Sequence, residues 1–145
     1  MNDALMQRLT HFLEKHDTLR GKPARDEEIK AAEEKLNVTL HADYKDFIKR
    51  FGGAYAGMNI HAFSNGSSLG KETLVELTLS ARESYAGDER AAELSKSYVI
   101  SITATGDPVV INPAGEVVIL YHDSDEREVL AASFEALLQK GFVEW

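Results

Sequence analysis

Five stretches of the chain carry apolar residues at helical spacing. Leu5, Met6, Leu9, Phe12 and Leu13 fall on one side of a first helix, which Asn2 or Asp3 can cap. Ile29, Ala32 and Leu36 share one face of a second, and Asn37 follows where a helix needs a residue able to turn left-handed. Tyr44, Phe47, Ile48 and Phe51 form the stripe of a third, which stops at Gly52-Gly53. The spacing of Leu74, Leu77 and Ala81 predicts a helix over 72–84. A last helix has Ser133 as its cap, Phe134, Leu137 and Leu138 inward, and Gly141 as its stop.

The period changes to two in the second half. Tyr98 to Thr103 alternates, with Tyr98, Ile100 and Ile102 pointing one way and Val99, Ser101 and Thr103 the other. Val109 to Ile111 and Val117 to Tyr121 are apolar on both faces, which marks central strands. Between them Asn112-Pro113-Ala114-Gly115 has Pro preset for a type I turn and Gly for the positive dihedral after it. Val129 to Ala131 adds a short edge strand. Met58 to Phe63 is a short strand inside a Gly-, Ser- and Asn-rich stretch, and Thr18 to Pro23 is a linker. The expected fold is α+β: an antiparallel sheet of about four to six strands with helices packed against one face. At 145 residues, a single domain over 1–145 can bury a proper core.

Three of these pieces carry a resemblance. Glu33, Leu36, Val38 and Leu40, then Asp43, Tyr44, Phe47 and Ile48, then Gly52 and Gly53 follow a known order. It is Glu-x-x-Leu-Gly-hydrophobic-x-Leu-Pro, Asp-Tyr-x-x-Phe-Leu and Gly-Gly. Asn37 stands for the usual Gly and His41 for the usual Pro. Gly106-Asp107, the two apolar strands and their turn resemble a central hairpin. Ser133-Phe134-Glu135-Ala136-Leu137-Leu138 resembles a terminal helix. Together, over roughly residues 24 to 141, the chain resembles the SUKH superfamily. That group includes yeast cell-wall-synthesis regulators and many bacterial immunity proteins.

Charge is unevenly divided. Residues 1–51 hold ten Lys/Arg and ten Asp/Glu, whereas residues 52–145 hold six and fourteen, so the whole net charge of −8 lies in the second part. It concentrates around Glu83, Asp88, Glu89 and Glu93, and around Asp123, Asp125, Glu126 and Glu128. Such a field repels phosphates, which opposes nucleic-acid and anionic-membrane binding, and attracts a basic partner. Zero cysteines exclude a disulfide framework and a thiolate metal site. No apolar run is long enough to span a membrane, and Met1 to Leu5 lacks a secretory pattern. The expected location is cytoplasmic.

Catalytic motifs are weak. Gly66-Ser67-Ser68-Leu69-Gly70 matches a nucleophile elbow, and Asp107 and His122 follow in hydrolase order. The elbow needs a buried strand before it, and Ala62-Phe63-Ser64-Asn65 is a poor one; the segment reads as a Gly/Ser loop. His122-Asp123-Ser124-Asp125-Glu126 has a calcium-like start, but no Gly at the sixth place, and Val129 and Leu130 fall where oxygen ligands are needed. Zinc would need a second histidine, and only His61 is on offer. His11, His16 and His41 complete the five histidines, all read as structural or surface groups. Gly52-Gly53 follows a helix, the wrong end for an anion. Tyr44, Phe47, Phe51 and Phe134 have core spacing.

No enzyme, metal or cofactor is therefore expected. The resemblance implies an immunity protein that binds a cognate toxin, often a nuclease, and blocks it. The alternative is a regulatory protein-interaction scaffold of the yeast type. The residues expected to meet the partner are Asp88, Glu89, Asp123, Asp125, Glu126 and Glu128, with Tyr55 and Tyr85 as exposed aromatic anchors. Tyr44, Gly52, Gly53, Gly106 and Asp107 are motif positions of the resemblance.

Overall fold

A computed structural model describes residues 1–142. Helix α1 (Asp3–Lys15) starts at Asn2, whose side chain accepts the Leu5 N–H, and a 3-10 turn (Asp17–Leu19) follows. Helices α2 (Asp26–Leu36) and α3 (Ala42–Phe51) meet at a tight connection. Asn37 is left-handed there, at φ 54°, as the position demands. Glu33 accepts the Leu40 N–H at 2.8 Å, so the motif glutamate closes the loop that follows its own helix. His41 does more than replace a proline: its N–H donates to the Tyr98 hydroxyl at 2.9 Å, and its Nδ1 lies 2.8 Å from the same oxygen.

Strands β1 (Ala54–Tyr55) and β2 (Asn59–Ile60) form a two-residue hairpin, shorter than the strand expected over 58–63. Helix α4 (Leu74–Ser84) opens with a capping box between Thr73 and Glu76. A one-turn helix α5 (Ala91–Leu94), too short to show a period, leads into the sheet. Strands β3 (Tyr98–Ile102), β4 (Pro108–Ile111), β5 (Val117–Leu120) and β6 (Arg127–Ala131) pair antiparallel in that order, and α6 (Phe134–Gly141) ends the described chain. Gly141 is the last helical residue rather than the stop; the chain leaves the helix at Phe142. Among the described residues no helix is long and apolar enough to cross a membrane.

The α+β architecture and the antiparallel sheet are as expected, with β4 and β5 central and buried on both faces. The main helical layer lies on one face. There Leu9, Tyr44, Phe47, Phe51 and Phe134 pack against Tyr98, Ile100, Val109, Ile111 and Val117. The structure adds a second layer, because the opposite face is also covered. Leu77, Ala81 and Tyr85 of the α4 segment, with Leu94, bury Val99, Val110, Val118 and Leu120.

One alternation is overturned. Val99 pairs with Val110 and Ser101 with Val109, so Ile100 is an extra residue, a β-bulge. A one-residue slip exchanges faces. Ile102 consequently pairs with Pro108 and lines the α4 side, away from Tyr98 and Ile100. It is 37% exposed.

Candidate functional site

Three loops meet at one end of the sheet: 85–90 after α4, 103–107 between β3 and β4, and 121–126 between β5 and β6. What fastens them is Arg90, a residue that sequence reasoning passed over. Its side chain is 6% exposed. Nη1 donates to the carbonyls of Tyr121 at 2.9 Å and Glu126 at 2.5 Å, and Nη2 to that of Ser124 at 2.8 Å. Nε and Nη2 also hold Asp88 in a fork at 2.9 and 3.0 Å, and the guanidinium lies over the Tyr85 ring, 4.9 Å from its centre. These bonds push the Asp88 carboxyl down to about 2 and raise the arginine. The signal available in the sequence was Asp88-Glu89-Arg90 itself, a lone cation in an acidic run.

Arg90 thus joins the two acidic segments that the sequence left apart. Their carboxylates are not equivalent. Asp88 is spent on Arg90, Glu93 on Arg127 at 2.8 Å twice, and Glu128 accepts the Tyr121 hydroxyl at 3.3 Å. Glu89, Asp123, Asp125 and Glu126 are exposed, and among the described residues their carboxylates form no hydrogen bond or ion pair, although Asp125 helps to raise Arg90 through its charge. Asp123, Glu126 and Glu128 line an open recess of about 520 Å³ with Tyr121, Ser124 and Arg127. The aromatic expectations fare differently. Tyr85 is a correction: it is buried at 7% exposure and its hydroxyl donates to the Leu120 carbonyl, because α4 lays it across the sheet. Tyr55 is half-buried at the β1–β2 hairpin, its ring 6.3 Å from Phe12, on a part of the chain that the acidic loops do not include.

The motif positions are structural. Tyr44 is fully buried and donates to the His61 carbonyl at 2.6 Å. A Cβ on Gly52 would sit 2.2 Å from the Lys22 carbonyl oxygen, and one on Gly53 only 1.9 Å from Asn65 Oδ1. Gly106 has φ +88°, in the turn that delivers Asp107.

Asp107 is the second organising group. Its Oδ1 accepts the His122 backbone N–H at 2.9 Å and lies 2.6 Å from His122 Nδ1; its Oδ2 accepts the hydroxyls of Thr103 and Thr105 at 3.2 and 2.7 Å. The His122 bonds, backbone first, hold this carboxyl far below the ordinary range. Asp107, His122 and Asp123 bring donor atoms within 4.8 Å of one another, the only such group found among the described residues. A carboxylate offers about four acceptor sites, and Asp107 already fills four. The network fixes the imidazole in one orientation. His61 bonds instead to the Glu72 carbonyl.

The hydrolase order found in the sequence is half realised. Asp107 and His122 do meet, but the Ser68 N–H donates to the Thr18 carbonyl, and the pocket of its Gly/Ser loop shares no residue with the groove of His122.

No curated protein matches the chain. Residues 23–140, from just before α2 into α6, match the model of the SMI1 / KNR4 family (SUKH-1), a group that includes toxin-immunity proteins and yeast regulators, and the chain belongs to that family.

Proposed function

We propose that this chain is an immunity protein: it binds a cognate protein toxin with a basic active surface, of the nuclease type, and covers that surface without turnover. One observation carries the reading. The loop 121–126 is fixed by a buried arginine, and it holds Asp123, Asp125 and Glu126 outward and unpaired beside Glu89. A nuclease must gather Lys and Arg to hold phosphates, and carboxylates on a loop whose backbone is already fixed oppose them at a reduced ordering cost. The steric and electrostatic occlusion is proposed to occur in the cytoplasm of a bacterial cell, needing no metal or cofactor.

The test is growth rescue. A toxin domain encoded beside this chain, expressed alone, should arrest growth, and co-expression of the chain should restore it. Changing Asp123, Asp125 and Glu126 together to Lys should abolish rescue while circular dichroism and melting stay unchanged. Full rescue by that folded variant would show that this face is not the one used. A chain that binds several partners and rescues none would be a regulatory scaffold instead.

A further inference from the structure

Beside the acidic loop runs a groove between α4 and the β3–β4 hairpin. Leu77, Ala81, Tyr85 and Pro108 make its buried floor, and Ile102 and His122 stand on its rim. Ile102 is one of only three exposed large apolar residues among those described, and the β-bulge at Ile100 is what turned it this way. The cavity measures about 330 Å³, at the small end of the roughly 300–1,000 Å³ of ligand sites. That suits one bulky side chain better than a whole cofactor. No lysine or arginine lines it. Asp123 follows His122 on one side, and exposed Glu83 precedes Ser84 on the other.

We infer that this groove seats a bulky apolar side chain of the protein partner, carried directly beside a lysine or arginine. The inference rests on the acidic-face reading above and adds its anchor. Interfaces draw most of their affinity from a few apolar residues buried in pockets, with charges at the rim setting partner choice and encounter rate. Here pocket and carboxylates adjoin, and Asp107 holds the rim imidazole in one orientation. A second copy of the chain is a poor occupant. Among the described residues its other exposed large apolar side chains, Leu79 and Val129, are flanked in sequence by Thr78, Ser80, Glu128 and Leu130, none of them cationic.

The experiment uses the intact chain, labelled with nitrogen-15, and three peptides: acetyl-Arg-Phe-Arg-amide, acetyl-Glu-Phe-Glu-amide and acetyl-Arg-Ala-Arg-amide. The first should shift the amides of Ser80, Ser84, Gly106 and His122 saturably. The second should bind about fivefold more weakly, and the third should leave the groove amides in place. Ile102→Ser, at an exposed position, should weaken the first peptide about fivefold while keeping spectral dispersion. Equal binding of both Phe peptides would sink the proposal, as would unchanged binding by Ile102→Ser, scattered or absent shifts, or groove shifts that follow protein concentration alone. If Arg-Phe-Arg, like Arg-Ala-Arg, moves only the amides of 123–126, the groove is wrong and the acidic face still stands.

Discussion

The turn between the two central strands, β4–β5, and the loop from β5 to the outer strand β6 are built on opposite plans. The β4–β5 turn is closed chiefly by its own residues, with two contacts from outside: Asn112 Nδ2 donates to Glu93 Oε2 at 3.2 Å, and His41 Nε2 lies 3.2 Å from the Pro113 carbonyl oxygen. Gly115 N–H donates to the Asn112 carbonyl at 2.9 Å, and Glu116 N–H to Asn112 Oδ1 at 3.0 Å. The β5–β6 loop has a single local backbone bond across it, Tyr121 N–H to the Glu126 carbonyl, and is held mainly from elsewhere in the chain: by Arg90, 31 to 36 residues away, and by Asp107, which accepts the His122 N–H at 2.9 Å. The difference explains what each can do. A self-closed turn spends its polar groups locally. A loop fastened from behind by a buried arginine and by Asp107 keeps its own carboxylates free for something else.

Breaking the outside fastening should have the largest effect. Arg90→Ala removes three bonds to carbonyls and frees Asp88, and should cost about 2–3 kcal/mol in urea unfolding. Amide exchange should rise through 121–126 and not at 112–116. Uniform loosening of both turns would contradict the contrast. Next, Gly115→Ala forces a side chain onto φ +87° and should cost about 1–2 kcal/mol, leaving exchange in 121–126 unchanged. Asn112→Ala, which removes the side-chain bonds across the same turn, should cost about 1 kcal/mol.

Acid should show a smaller effect. Asp88 is held at about 2, below its unfolded value of 3.8, and Asp107 is depressed in the same direction. Groups depressed on folding stabilise fully above their unfolded value and stop doing so as pH falls through the folded one. The stability gap between the wild type and Asp88→Asn should therefore be constant above about pH 5 and narrow from about pH 4 towards 2. A gap that persists unchanged at pH 2 would mean the Asp88–Arg90 pair does not hold the loop.

The same contrast separates what was legible in the sequence from what was not. Helices, central strands and the Asn112–Gly115 turn follow from local spacing and local chemistry, and all appear where that spacing puts them. So does the family, since Glu33 and Asn37 shape the α2–α3 connection while Tyr44 and Gly52-Gly53 are fixed by close packing. The bulge at Ile100 leaves no mark in an alternating strand, so Ile102 was assigned to the wrong face. The burial of Tyr85 depends on where α4 crosses the sheet, which local spacing does not carry. Counting charges located the acidic segments but could not tell free carboxylates from spent ones, since Arg90 and Arg127 reach their partners only after folding. Asp107 and His122, in contrast, were noticed for a catalytic order and prove to be a hydrogen-bonded brace.

The central claim is that fixed, unpaired carboxylates at 123–126 draw in a basic partner. Its most direct measurement is the association rate with the toxin encoded beside this chain, followed in stopped flow as salt rises. The account predicts a wild-type rate that falls steeply with ionic strength, and a slow, salt-insensitive rate once Asp123, Asp125 and Glu126 are lysines. Equal rates for both proteins across the salt series would contradict it.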